Sequence, residues 1–302
     1  MRQRILVAAA IAVCSGAFCW LVLTRLHQGS ADFYWTMRAA RSMLAHQNPY
    51  DTPLEQYPLT AALFGIPFLA FPAEIAAGLF FGISSGLLAF GLLKEGGYSR
   101  LFVFFAYPYW GALMTAQWSP LIMAGALIPI LLPVTMAKPQ LGIPVFLTRA
   151  SRIGVIACVV ALGITLALVP RWPLWWIGQF GHYEHFFPLL VLPGFLLLAA
   201  LTSYRDRDAW FLVLAALVPQ RWFFDSFILW LIPKSRREIL YTTGCSWFVG
   251  VWRWYHMPHS MTQVGRWTVL GFYLPMLLVI FMRARSTRMK PAVTPRGTPG
   301  TS

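Results

Sequence analysis

The sequence predicts an all-α integral membrane protein, a polytopic bundle of about 10–12 transmembrane helices. Three observations predict it. Hydrophobic residues make up 58% of the 302 residues and charged residues 11%, whereas a soluble domain carries about 25% charged residues. Apolar runs follow one another as far as residue 283. The basic residues, which give a net charge of +14, mostly lie between these runs, as topology signals do, and no solvated basic cluster indicates nucleic-acid binding.

The first apolar run, 5–24, is too long for a signal peptide and lacks a small-residue cleavage site, so we expect a retained helix with a cytoplasmic N-terminus. The runs at 139–148, 209–220 and 224–233 are too short to cross a membrane alone and predict half-helices. The predicted spans are 5–24, 54–72, 74–93, 101–116, 119–136, 139–148, 153–169, 187–202, 209–220, 224–233, 239–254 and 266–283.

With the spans in this order, we expect residues 1–283 to form one transmembrane domain in the plasma (inner) membrane. Both termini then lie in the cytoplasm, and 284–302 form a basic, disordered tail. Most basic residues fall on the cytoplasmic side, with Lys94 and Arg100 as exceptions on the outer side. The four cysteines (Cys14, Cys19, Cys158 and Cys245) lie inside apolar runs and are interpreted as core residues.

The first outer loop, 25–57, contains apolar residues at helical spacing: Phe33, Met37, Ala40 and Leu44. We expect a short amphipathic helix with this face on the membrane surface. Ser30 or Asp32 would cap its N-terminus, and it would end before Asn48-Pro49.

The same loop carries a series of short motifs: Asp32-Phe33, Ala39-Ala40, Asn48-Pro49-Tyr50-Asp51 and Tyr57-Pro58. Further on come Ala116-Gln117-Trp118-Ser119-Pro120 and Lys138-Pro139-Gln140. Together they resemble glycosyltransferase family 87, the polyprenyl-phosphate-sugar-dependent members of the GT-C superfamily. The match covers residues 30–72 and 116–147.

The resemblance implies a GT-C-like bundle that moves a mannose-like hexose from a polyprenyl-phosphate donor to a glycolipid or glycan acceptor on the non-cytoplasmic face. It places the catalytic base at Asp32, for which an N-terminal cap is the plainer alternative, and contacts to donor or acceptor at Tyr57, Gln117 and Gln140. No cofactor and no metal ligand is assigned, and dependence on a divalent metal is left open.

Two further sites follow from charges inside apolar sequence. Lys138 lies between apolar runs, where a lysine is costly, so it fits either a role in binding the donor phosphate or a side chain that snorkels to the interface. Arg221 and Asp225 fit a structural ion pair, and Arg221 also fits phosphate binding.

Polar residues elsewhere are weaker candidates. His182, Glu184 and His185 are assigned as possible acceptor contacts, although they also fit interfacial polar residues, and His256 with His259 repeats their spacing. Asp51 and Glu55 fit secondary acids of the first loop, and Asp51, which follows Pro49-Tyr50, also fits turn chemistry. Asp206-x-Asp208 imitates the metal motif of nucleotide-sugar transferases, but its alternation with arginines indicates a charge-neutralised cytoplasmic loop.

Two other functions share these features. A transporter of lipids or lipid-linked sugars would need the groove and the cations but no base. A non-catalytic GT-C-like scaffold would bind the donor without transferring the sugar.

Overall fold

The computed structural model describes residues 1–26, 31–51, 57–179 and 184–288. Within these ranges the chain is built from α-helices and 3₁₀-helices, and the β-type pairing is limited to one bridge between Phe186 and Gln220. The prediction of an all-α fold is confirmed.

The described ranges contain 13 α-helices. In chain order they are α1 Arg2–Arg25, α2 Ala31–Leu44, α3 Thr60–Gly65, α4 Ala73–Gly96, α5 Tyr107–Met114, α6 Ser119–Leu127, α7 Pro139–Arg149, α8 Arg152–Leu168, α9 Trp172–Ile177, α10 Arg207–Leu217, α11 Arg236–Tyr255, α12 Met261–Thr268 and α13 Leu274–Arg288. The 3₁₀-helices are Ile66–Phe68, Tyr98–Phe105, Pro129–Met136, Gly194–Ser203 and Phe223–Leu231, and a π-helical turn, Val269–Tyr273, joins α12 to α13.

Three helical stretches of the described chain are long and apolar enough to cross a membrane: Arg2–Arg25, Ala73–Gly96 and Met261–Ser286. They favour a membrane protein by length and composition. The shorter apolar helices Arg152–Leu168 and Gly194–Ser203 fall below the length of a full span.

Other predicted spans are divided where prolines interrupt the apolar sequence. The predicted span 101–116 is a 3₁₀-helix followed by α5, and Pro108 lies in the first turn of α5. The predicted span 119–136 is α6 followed by a 3₁₀-helix that begins at Pro129. Because proline lacks an N–H and fits the first turn of a helix, each run breaks at that position.

Helices α1 and α4 pack closely because glycines remove side chains from their contact. A Cβ atom on Gly82 would lie 2.6 Å from the carbonyl oxygen of Ala12, and one on Gly16 would lie 2.9 Å from that of Gly78. The two backbones therefore touch where a larger residue would separate them.

Substitution Gly82→Ala is expected to destabilise the protein by about 1–3 kcal/mol, because the added methyl group meets backbone that cannot rotate away. The matched control is Gly163→Ala in α8, where a Cβ has no neighbour within 4 Å. That change should be neutral or stabilising by about 0.5–1 kcal/mol, since alanine favours helix. The unfolding temperatures of the two variants in detergent test this prediction. Equal shifts from the wild-type value would contradict the close packing of α1 on α4.

Helix α2 matches the amphipathic helix that the sequence predicts, but its apolar face does not lie on a membrane. Phe33, Met37 and Ala40 are buried in the protein, and the Phe33 ring stacks on Phe80 of α4 at 4.4 Å between centroids. Leu44 stays exposed. The expectation of a surface-lying face is corrected because α3 and α4 pack against α2.

The chain between α2 and α4 reverses without crossing. The predicted span 54–72 consists, from residue 57 onward, of the six-residue α3 and the short 3₁₀-helix after it. Gly65 lies against Thr36 of α2, where a Cβ would be 2.7 Å from the Thr36 carbonyl oxygen. The Tyr34 hydroxyl donates to Glu74 Oε1 at 3.1 Å, so α4 starts beside the start of α2.

This reversal corrects the predicted side of Arg100. Since α4 begins beside α2 and runs to Gly96, Lys94 and Arg100 lie at the far end of the molecule. There Arg100 Nη1 donates to the carbonyl oxygen of Pro233 at 2.8 Å, next to Lys234, which the sequence assigns to the cytoplasmic side. Lys94 and Arg100 therefore lie at the same end as the basic residues predicted to be cytoplasmic, and we call it the basic end. The excess of lysine and arginine at this end is thus larger than the sequence predicted.

Glu238 holds the start of α11 at this end through a capping box with Ser235. Burial alone would raise the pKa of Glu238. Hydrogen bonds from Arg283 and from the backbone N–H groups of Lys234 and Ser235 outweigh burial and lower that pKa from 4.5 to about 2.

The stability that Glu238 contributes is therefore fully present above about pH 4.5 and is lost as the pH falls toward 2. We expect Glu238→Gln to unfold more easily than the wild-type protein at neutral pH, and the difference to shrink below pH 4.5. Unfolding midpoints measured across this range test it. A difference that stays constant down to the lowest pH would show that the carboxylate charge is not the cause.

Candidate functional site

Lys138 is the centre of the candidate site and immediately precedes α7. Its side chain is only 3% exposed, and its Nζ donates to Asp225 Oδ1 at 2.8 Å and to Gln117 Oε1 at 3.1 Å. The ammonium also lies 5.6 Å from the ring centroid of Tyr57 and 5.4 Å from that of Phe224. Because the ammonium is enclosed by protein groups, a side chain that snorkels to the membrane interface is the wrong interpretation.

Asp225 is the direct counter-ion of Lys138 and is 1% exposed. It lies in the first turn of the 3₁₀-helix Phe223–Leu231, and its Oδ2 accepts the backbone N–H of Arg221 at 3.4 Å. The sequence paired Asp225 with Arg221, and the structure adds Lys138 as a partner. A buried carboxylate with a cation and an amide on its two oxygens is held in one orientation.

Asp32 approaches the same ammonium from α2. Its Oδ2 lies 3.6 Å from Lys138 Nζ, and its side chain is 19% exposed. Since α2 begins at Ala31, Asp32 is the second residue of the helix and not its N-terminal cap. The carboxylate is therefore directed toward Lys138 and still reached by solvent.

Gln117 is brought to the site by a strained turn. The preceding residue, Ala116, has φ of +46°, a left-handed conformation that a residue with a side chain rarely adopts. The Gln117 N–H donates to the Ala112 carbonyl oxygen at 2.9 Å, which closes the turn after α5. Strain of this kind persists only where the surrounding structure enforces it.

These side chains face one cavity of about 390 Å³. Among the described residues, three cations and two carboxylates line it, which leaves one formal positive charge in surplus. Its lining is Asp32, Tyr57, Thr115, Gln117, Lys138, Arg221, Trp222, Phe224, Asp225 and Arg253.

Arg253 is the site residue that the sequence analysis missed. It lies near the end of α11, inside the predicted span 239–254, and the sequence analysis assigned it no role. A cation inside an apolar run was the available signal, since such residues commonly face a cavity.

An apolar groove of about 380 Å³ adjoins the charged cavity. Pro58 and Pro139 line it, and each directly follows a residue of the cavity, Tyr57 or Lys138. Its remaining lining includes Gly142, Cys158 and Trp172, and almost none of its surface is polar. The groove can accept a hydrocarbon chain whose charged head lies at Lys138.

The other residues predicted to contact the donor or acceptor either lie away from the cavity or fall outside the described ranges. Gln140 lies in the first turn of α7 and is not among the described residues that line the cavity. Glu184 and His185 are exposed and do not line it, and His182 falls outside the described ranges. In the described part of the chain, no three His, Cys, Asp or Glu side chains gather as a metal site.

The remaining candidate acids either bond to other residues of the protein or lie outside the described ranges. Asp51 accepts a hydrogen bond from Asn48, as turn chemistry predicts, and Glu55 lies outside the described ranges. Asp206 caps α10, and Asp208 pairs with Arg149 and Arg283 at the opposite end of the molecule. The Asp-x-Asp pattern therefore forms the start of α10 rather than a loop, and the Asp208 charge is neutralised as predicted.

Comparison of this chain with protein-family models, curated proteins and solved structures finds no match. The resemblance to glycosyltransferase family 87 stays a prediction that depends on the short motifs alone. The candidate site is consequently argued from its geometry.

Proposed function

We propose that this protein is an integral-membrane glycosyltransferase with a GT-C-like bundle. It moves a mannose-like hexose from a polyprenyl phosphate to an acceptor hydroxyl of a glycolipid or glycan on the non-cytoplasmic face. One observation carries the proposal: a partly exposed carboxylate, Asp32, faces a buried ammonium, Lys138, in a charged cavity that adjoins an apolar groove.

The chemistry assigns a role to each charge. The acceptor oxygen attacks the anomeric carbon while the bond between that carbon and the phosphate oxygen breaks, and the electron pair leaves with the prenyl phosphate. The Asp32 carboxylate takes the acceptor proton as general base. Lys138, Arg221 and Arg253 stabilise the charge that develops on the departing phosphate. Direct displacement inverts the anomeric configuration.

The charge balance of the cavity supports a donor with one phosphate. A sugar joined to a prenyl chain through a single phosphate is a phosphodiester with one negative charge. The cavity has one positive charge in surplus, because its three cations face two carboxylates. A diphosphate donor would bring a further negative charge that the described lining does not neutralise.

The orientation follows from the two ends of the molecule. The basic end, which includes Arg100 and Lys234, takes the cytoplasmic side under the positive-inside rule. Both termini then lie in the cytoplasm of a plasma (inner) membrane protein, because α1 begins and α13 ends at that end. The site consequently opens on the outer side.

The proposal is tested first by the lipid that the protein retains. Mass spectrometry of the gently purified protein is expected to detect a polyprenyl phosphate or its sugar ester. Addition of an acceptor extract should release the sugar from that lipid. Retention of the lipid without any transfer would support the scaffold or the transporter, and retention of prenyl diphosphate alone would contradict the charge argument.

Substitution Arg253→Gln is expected to raise the KM for the donor about tenfold, because a charged hydrogen bond to the phosphate is lost. Arg266→Gln is the matched control, an exposed arginine on the neighbouring α12 that does not line the cavity. Its KM should stay within about twofold of the wild-type value. Equal kinetics for both variants would exclude Arg253 from donor binding.

A further inference from the structure

A second group of charges lies at the end opposite the candidate site. We call it the basic cluster, and it consists of Arg100, Arg149, Lys234 and Arg283 around the carboxylates Asp208 and Glu238. Arg283 bonds both acids, at 2.8 Å to each. Arg149 bonds Asp208, and Lys234 Nζ lies 3.7 Å from it.

Within this cluster two of the three guanidinium nitrogens of Arg100 lack a hydrogen-bond acceptor in the ranges that the structure describes. Its side chain is 3% exposed, and only Nη1 donates, to Pro233. Among the described residues, Nε and Nη2 of Arg100 and Nε of Arg149 find no acceptor. The nearest carboxylate to Arg100, that of Glu95, is half exposed and 4.0 Å from Nη2. Burying guanidinium N–H groups without acceptors costs free energy. This arrangement therefore indicates that a ligand supplies the missing acceptors.

The net charge of the cluster also indicates that it binds an anion. Burial lowers the pKa of Lys234 to about 8, Asp208 opposes that shift, and Arg149 and Arg100 add to it. Even with the half-exposed Glu95 counted beside Asp208 and Glu238, four cations face three carboxylates. An anion would supply both the charge and the acceptor oxygens that the cluster lacks.

The position of the cluster identifies the anion. The candidate span Ala73–Gly96 ends beside Arg100, since Gly96 lies against the Arg100 side chain, and the candidate span Met261–Ser286 ends just after Arg283. The ends of spans lie at the depth of lipid headgroups. Lys234 is 41% exposed at the side chain and opens the cluster to that layer.

We propose that the basic cluster binds the phosphate of an acidic phospholipid in the leaflet at this end of the protein. Arg100 and Arg149 donate to the phosphate oxygens, and Lys234 lies at the entrance. Anionic headgroups are attracted to such sites, whereas a zwitterionic headgroup brings its own cation.

The test uses the full-length protein, delipidated in detergent and titrated with phosphatidylglycerol or phosphatidylcholine under native mass spectrometry. We expect one phosphatidylglycerol to bind in preference to phosphatidylcholine. Arg100→Gln should weaken that binding about tenfold, since charged hydrogen bonds are lost. Lys94→Gln removes an exposed charge at the same end and should change it less than about twofold.

Other outcomes decide against the proposal. Equal binding of the two lipids would overturn it, as would equal behaviour of Arg100→Gln and Lys94→Gln. Displacement of the lipid by inorganic phosphate would show that the ligand is a free anion. If Arg100→Gln does not fold, Lys234→Gln at the entrance is measured instead, with an expected loss of about threefold, and no loss refutes the lipid site.

Discussion

Substitution Asp32→Asn is expected to slow sugar transfer by about 100- to 10,000-fold, the usual contribution of a general base. The amide has nearly the shape of the carboxylate, so it keeps the place beside Lys138 but cannot accept the acceptor proton. Transfer from a prenyl-phosphate sugar in reconstituted membranes measures the loss. Donor binding, measured on the same preparation, should change far less than the rate, because the cations and the groove remain.

Asp51→Asn is the control for this prediction. Asp51 belongs to the same loop region, yet it pairs with Asn48 in a turn and does not line the cavity. Its transfer rate should stay within about twofold of the wild-type rate. Transfer that survives Asp32→Asn would remove the proposed mechanism and favour the transporter.

Substitution Lys138→Met is expected to destabilise the protein by about 3–5 kcal/mol as well as to abolish transfer. The reason is Asp225, which is 1% exposed and would keep a buried charge without its cation. The double variant Lys138→Met/Asp225→Leu should recover much of the stability but none of the transfer. The fully buried carboxylate is then gone, and the Asp32 carboxylate that also loses Lys138 is 19% exposed to solvent. Thermal unfolding in detergent measures the first effect and the transfer assay the second.

The control here is Lys94→Met, which removes an exposed lysine at the opposite end and should unfold within about 0.5 kcal/mol of the wild-type protein. A double variant that is no more stable than Lys138→Met would contradict the pairing of Lys138 with Asp225.

The sequence predicted the local features of the site and missed its long-range contacts. Helical spacing from Phe33 onward predicted α2, because periodicity is a local property. The pairing of Lys138 with Asp225 joins residues 87 positions apart, and no local pattern encodes it. Arg253 was given no role because it lies at the end of a predicted span, although an arginine in an apolar run already indicated a cavity.

The reversal between α2 and α4 could not be predicted from hydropathy. Residues 57–72 are apolar whether they cross a membrane or pack against α2, so composition gives the same signal in both cases. The decisive contact is Gly65 against Thr36, which depends on how two helices meet. The predicted crossing separated Arg100 from Lys234, whereas the structure places both at the same end of the molecule.

The proposed transfer reaction depends on a carboxylate, Asp32, that accepts a proton beside the buried cation Lys138 while a prenyl phosphate departs. The most direct measurement is a single-turnover reaction of the purified protein, reconstituted into lipid vesicles, with a polyprenyl-phosphate mannose labelled in the sugar, followed by analysis of the product. We predict that the label moves to an acceptor hydroxyl with inverted anomeric configuration, and that it stays on the prenyl lipid with Asp32→Asn. Label that crosses the bilayer unchanged, at equal rates in both proteins, would contradict it.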